Sequence, residues 1–181
     1  EAGIYSYWLD LRDKQNFGNS DAPRYEIRAI QDTPPDIYID RPATDIQVTP
    51  TAEIPLRFVA KDDLALHKIR MRYQILEPGQ TEPAKPVEVP LATLVDRPLQ
   101  HTQEHLWKLE TLKLIPGMQI QLHGEATDEF DLGPPHVGRS LTRTLTGVSA
   151  EEKMQELSDR QVGLLSDLER TKKQETEIQA Q

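Results

Sequence analysis

Lys68-Ile-Arg-Met-Arg-Tyr-Gln-Ile75 decides how this chain is read. Ile69, Met71, Tyr73 and Ile75 alternate with Lys68, Arg70, Arg72 and Gln74. A period of two with one apolar side is the mark of a strand buried on one face and wet on the other. The same alternation recurs upstream, where Ile54, Leu56 and Phe58 interleave with Pro55, Arg57 and Val59. It recurs downstream, where Ile120, Leu122, Gly124 and Ala126 interleave with Gln119, Gln121, His123 and Glu125. Short strands are expected at 36–40, 44–48, 53–60, 66–75, 86–94, 104–110, 118–127 and 138–146, with Pro, Gly and Asp between them. Many short strands divided by such turns read as a mainly β chain built as a sandwich.

Before this series comes Arg24-Tyr-Glu-Ile-Arg-Ala-Ile-Gln-Asp-Thr-Pro-Pro35. Alternating residues run into two consecutive prolines, which fix φ and remove two backbone donors, so no ladder continues through them. The residue ahead of each proline is pushed toward extended geometry. The stretch reads as a short stiff connector between two β-modules. Upstream of it, residues 4–11 and 24–30 flank the turn composition Asn16-Phe-Gly-Asn-Ser-Asp21 and form a hairpin. Tyr5, Tyr7, Leu9 and Leu11 make its apolar face. A lone hairpin is marginal in water, so it belongs to a preceding module or docks on a partner; residues 1–31 read as the end of a preceding sandwich module. Residues 32–147 are then one sandwich, and 148–181 the start of a helical segment.

From Ser149 the period changes. Ser149-Ala-Glu-Glu152 fits a capping box, and early acidic residues suit the helix dipole. Leu157, Leu164, Thr171 and Ile178 repeat every seven residues, as do Met154, Gln161, Leu168 and Glu175. The two sets lie three and four apart and form one stripe, broadened by Val162 and Leu165. Such a helix packs on the sandwich or on another helix.

Thirty acidic side chains outnumber 21 basic ones, a net charge of -9, which argues against a nucleic-acid partner. The 14 prolines and a mean hydropathy of -0.62 point to an elongated or solvated element. The chain has no cysteine, which does not discriminate between compartments. No apolar run is long enough to span a membrane, and no signal peptide is visible. The opening Glu1-Ala-Gly-Ile-Tyr reads as mid-domain, so the chain is expected to be a fragment and missing targeting signals carry no weight.

Four stretches carry a family resemblance: Asp32-Thr-Pro-Pro-Asp-Ile-Tyr-Ile39, Val48 through Asp63, Leu112 through Ile120, and Glu125-Ala-Thr-Asp-Glu-Phe-Asp131. They resemble the bacterial immunoglobulin-like modules, with fibronectin-type and cadherin-like relatives, that occur as strings in large envelope proteins. Such modules end a strand in Ala-x-Asp-Asp, here Ala60-Lys-Asp-Asp63, and open the next at a step like Leu66-His-Lys-Ile69. A Leu-x-Pro-Gly turn leads to a strand ending Ala-Thr-Asp, here Leu114-Ile-Pro-Gly117 and Ala126-Thr-Asp128. The segment Asp63-Leu-Ala-Leu66 departs from the pattern, since such modules usually carry Gly there. The resemblance implies an immunoglobulin-like antiparallel β-sandwich, an extracytoplasmic setting anchored by sequence elsewhere, and an adjacent module as partner.

In that topology the loops after the second and sixth core strands lie at one pole. Asp62, Asp63, Asp128, Glu129 and Asp131 would then gather beside Asp32 and Asp36 of the connector. Calcium takes six to eight oxygens, several from carboxylates, so an interdomain calcium site is one reading. The other is that these residues are turn formers, because Asp accepts hydrogen bonds from its own backbone. His101-Thr-Gln-Glu-His105 lacks the zincin order and reads as a loop entering a strand. Trp8, Trp107, Tyr5, Tyr7 and Tyr38 are core residues or a ligand platform.

No nucleophile elbow, P-loop or dinucleotide fingerprint appears, so no catalytic residue is assigned. The leading expectation is a non-catalytic spacer or adhesion-type arm of a modular envelope protein. Self-association is expected through the hairpin or the C-terminal helix. The alternatives are a carbohydrate- or peptide-binding accessory module, and an intracellular coiled-coil scaffold with a sandwich head.

Overall fold

A computed structural model describes residues 3–19, 22–29, 31–130 and 133–179, without the side chains of 169 and 173–179. The chain divides into two compact units, Glu1–Thr33 and Pro34–Gln181. The chain is mainly β, with several antiparallel sheets and one C-terminal helix.

The first unit holds strands β1 (Gly3–Tyr7) and β2 (Tyr25–Ala29), paired antiparallel from Gly3↔Ala29 to Tyr7↔Tyr25. Tyr5 and Tyr7 stand opposite Ile27 and Tyr25 on one face, and the Tyr7 and Tyr25 rings stack at 5.3 Å. Leu9 and Leu11, expected to extend that face, lie instead in the connecting loop. Asn19 holds the loop, donating from Nδ2 to the Leu9 carbonyl and accepting from the Leu11 amide. Asp13 accepts from the amides of Gln15 and Phe17. These side chains give the backbone a local alternative to the strand ladder.

The second unit contains β3 (Asp36–Arg41), β4 (Ile46–Val48), β5 (Glu53–Lys61), β6 (Leu66–Leu76) and β7 (Val87–Thr93). These are followed by β8 (Gln100–Lys108), a 3-10 turn at Glu110–Leu112, β9 (Gln119–Asp128), β10 (Val137–Arg139) and β11 (Arg143–Gly147). Helix α1 (Ala150–Gln179) closes the unit. One sheet has the order β3-β5-β8 and the other β4-β11-β9-β6-β7, with β10 also on β9. Among the described residues of this unit, every pairing is antiparallel except β4 with β11.

The alternation read from the sequence sets which residues meet. Ile37, Ile39, Leu56, Phe58 and Ala60 of the smaller sheet share one core with Ile69, Met71, Ile120, Leu122, Ala126 and Leu145 of the larger. Phe58 is fully buried over β9. A Cβ at Gly124 would sit 2.7 Å from Phe58 Cδ1, which is why the apolar row of β9 drops to glycine there. Gly138 is demanded by a still closer approach: a Cβ there would lie 1.7 Å from the Pro35 carbonyl oxygen.

Two boundaries differ from expectation. β8 starts at Gln100 because its register with β5 holds over nine residues, from Glu53↔Lys108 to Lys61↔Gln100. His101 therefore sits in the strand with His105, not in a loop ahead of it. The strand expected over 138–146 is split into β10 and β11. At the break, Ser140 Oγ accepts from the Gly124 amide at 2.9 Å and donates to the Leu141 carbonyl.

The capping box at the start of α1 is formed. The Ser149 amide donates to Glu152 Oε2 at 2.8 Å, and the Glu152 amide to Ser149 Oγ at 3.1 Å. Among the described residues, no helix is long and apolar enough to cross a membrane.

Phe58→Ala is expected to lower stability by about 3–5 kcal/mol through the cavity it leaves. Gly124→Val should lower it by about 1–3 kcal/mol through overpacking against the same ring. Urea unfolding of each variant checks both.

Candidate functional site

The acidic residues singled out in the sequence fall in several places. Asp36 opens β3 opposite Lys61 at the end of β5, and Asp62 and Asp63 follow directly. Asp128 closes β9 opposite Leu66 at the start of β6, and Glu129 comes next. Strand direction therefore brings Asp36, Asp62, Asp63, Asp128 and Glu129 to one end of the second unit. Asp32 belongs to the first unit, and Asp131 lies outside the described residues.

Hydrogen bonds engage Asp62, Asp128 and Glu129. Asp62 Oδ2 accepts from the amides of Leu64 at 3.3 Å and Ala65 at 2.7 Å. That bond set closes the turn at Asp63-Leu-Ala-Leu66 with no residue at positive φ, so the turn does not require glycine. Asp128 is buried; its Oδ1 accepts from the amides of Phe130 at 3.2 Å and His136 at 2.7 Å. Its Oδ2 lies 2.8 Å from His136 Nδ1, and the His136 ring packs 4.5 Å from Phe130. Glu129 Oε1 takes a 2.7 Å bond from Arg97. Asp36 and Asp63 are exposed. The Asp128–His136 pair had no signal in the sequence, because the partners are joined only by the path of the loop between them.

A charge network lies on the polar side of the larger sheet. Cross-strand register sets Arg70 opposite Glu125, Arg72 opposite His123 and Glu88, and Arg139 opposite Glu125. Glu125 is only 1% exposed although it alternates with the core residues of β9. Arg70 Nε donates to its Oε2 at 2.7 Å, and Arg139 Nη2 to its Oε1 at 2.8 Å. His123 Nε2 lies 3.3 Å from Oε1. Glu88 bridges Arg70 at 3.2 Å and Arg72 at 3.1 Å.

Burial alone would push the Glu125 carboxyl up. The hydrogen bonds from Arg70, Arg139 and His123 outweigh it and hold the group below the usual carboxylate range. Burial, reinforced by Arg139, holds His123 below the usual imidazole value despite its bond to Glu125. A carboxylate pinned in its ionised form is poorly suited to proton transfer near neutrality. Its place is that of a cross-strand clamp.

His101 and His105 share one face of β8, with Gln103 between them and its Oε1 3.4 Å from His101 Nε2. Four strand residues span about 13 Å, too far for two ligands of one ion.

The aromatic residues divide. Trp107 is buried and tilts against Tyr73, with ring centroids 4.9 Å apart, whereas Tyr38 is exposed. Tyr5, Tyr7 and Trp8 are exposed, and Arg24 lies 5.8 Å over the Trp8 ring. A second apolar surface runs along α1. Met154, Leu157, Val162, Leu164, Leu165 and Leu168 are each between 51% and 72% exposed. Glu175 and Ile178, the last members of the stripe, have side chains outside the described set.

No family model and no curated protein matches this chain. Among solved structures it is weakly similar to that of Spo0M, a sporulation control protein from Bacillus subtilis. The identity is 9% and the TM-score 0.35, over 65% of this chain and 50% of that one. The chain thus spans about half the length of Spo0M.

Glu125 carries a pH prediction. Its folded pKa lies below the unfolded value of about 4.3, so its contribution is complete above that value and is lost as pH falls through the folded pKa. His123, also depressed, removes stability in the same direction from about pH 6.5 downward. Glu125→Gln should lower stability at neutral pH by about 1.5–3 kcal/mol. Its deficit against the parent protein should shrink on acidification. Denaturant unfolding across pH measures this, and a deficit that stays constant would contradict it.

Proposed function

We propose that this chain is a non-catalytic structural and interaction module: an immunoglobulin-like sandwich set between a strand pair and a helix. The strand order supports the sandwich reading. β3, β5 and β8 correspond to strands A, B and E of that fold, and β11, β9 and β6 to G, F and C.

The observation that carries the functional reading is the distribution of surface chemistry. In the second unit, the networks around Glu125 and Asp128 tie their charged groups to one another or to backbone. Large apolar side chains stand exposed in groups on β1, β2 and α1, and also at separate places on the two sheets and their loops, among them Leu106, Val95 and Leu141. Paired charge with unpartnered apolar surface fits association better than turnover. A spacer or adhesion-type arm of an extracytoplasmic, modular envelope protein is the role that fits the resemblance in Ala60-Lys-Asp-Asp63 and Leu114-Ile-Pro-Gly117. An ion at the acidic pole is not required by this reading, since Asp62 and Asp128 already close turns.

A second reading, a carbohydrate-binding accessory module, draws on the exposed rings of Tyr5, Tyr7 and Trp8, because aromatic faces stack on sugars. A glycan array probed with the protein separates the two. The structural reading expects no saccharide to be retained. Retention of one glycan class, abolished by Tyr5→Ala with Trp8→Ala, would overturn it in favour of the second.

A further inference from the structure

The exposed stripe of α1 has a spacing that defines its occupant. Met154, Gln161 and Leu168 fall at one core position of a heptad, and Leu157, Leu164 and Thr171 at the other. The opposite claim on the helix comes from the sheets. Lys153, Glu156 and Arg160 line a cleft with Asp45, Gln47 and Thr146, next to the edge strand β4. Lys153 and Arg160 both pair with Glu156 there. Lys153, Glu156 and Arg160 thus face β4, and the apolar stripe that runs beside them is exposed.

We propose that α1 pairs with the α1 of a second copy of this chain, as a parallel, in-register two-stranded coiled coil. The inference rests on the structural reading above and names its partner. Two features of the stripe select this geometry. Gln161 is a polar residue at a core position. Only in a parallel, in-register pair does it face its own copy, where two side-chain amides satisfy each other. In an antiparallel pair it would face Leu157, Leu164 or Thr171 of the other core position and lose that matched amide. The flanking positions agree. In a parallel pair each flanking residue meets the one five places later on the other helix. That rule sets Asp167 against Lys172, opposite charges.

Sedimentation equilibrium of the whole chain, from micromolar to millimolar concentration, tests the pairing. A monomer–dimer equilibrium is expected. Leu157→Asp with Leu164→Asp should weaken it by about tenfold or more. The thermal melt of the sheets should stay in place. The absence of native cysteine makes orientation measurable. Gln161→Cys should form an interchain disulfide in a glutathione buffer, and Ser166→Cys, on the far side of the helix, should not.

A monomeric mass at every concentration overturns the proposal. So does a dimer that survives the double substitution, which would place the contact on the β1–β2 strand pair. Equal cross-linking of Gln161→Cys and Ser166→Cys also overturns it. A monomer with a blank glycan array ends the pairing and leaves the structural reading standing. Saccharide retention ends that reading whatever the mass.

Discussion

The seat of Phe58 against the backbone of β9 is the contact on which the second unit depends. The ring comes from the middle strand of the smaller sheet and reaches a strand paired on both sides in the larger. A side chain at position 124 would hold the sheets apart. Its absence lets the ring meet the neighbouring strand's main chain directly, with Ile37 beside it. Interiors pack as densely as organic crystals, so this one spacing constrains its neighbours. Leu56, Met71 and Leu122 belong to the same core, and each is almost completely buried.

The fold was legible where one face is apolar and the other polar. Ile69 to Ile75 and Ile120 to Ala126 declared their strands because the pleat sorts residues by parity. Ser149 and Glu152 declared the helix start because a capping box is local in sequence. Three kinds of feature were not legible. His101 to His105 has no apolar alternation, so its membership of β8 comes only from the register of β5. The break at Ser140 depends on a bond to Gly124, sixteen residues away. Leu9 and Leu11 have the right parity for a strand, but Asn19 and Asp13 supply competing bonds that parity does not register.

The charged residues show the same division between local and distant partners. The turn-forming role of Asp62 was one of two readings open from the sequence, because its donors are two and three residues away. The clamp on Glu125 joins strands β6, β9 and β10, and its closest partner, Arg70, is 55 positions away. Nothing near Glu125 in the chain marks it as the acid that would be almost completely buried. The acidic surplus of the whole chain made it look like one more solvated carboxylate. What the sequence read as surface charge is partly a fastening across the sheet.

The junction between β11 and α1 has a mechanical meaning. β11 is bonded on one side to β4, in parallel, and on the other to β9. The Val148 amide, one residue past the strand, still donates to the Val48 carbonyl at 3.0 Å. The helix follows at once, so there is no slack between sheet and rod. A load drawn along β11 through the helix is applied along two ladders at the same time. Bonds sheared side by side must yield together, whereas bonds peeled from one end yield in turn. The end of the chain that bears the helix is therefore anchored in the way best suited to carry tension.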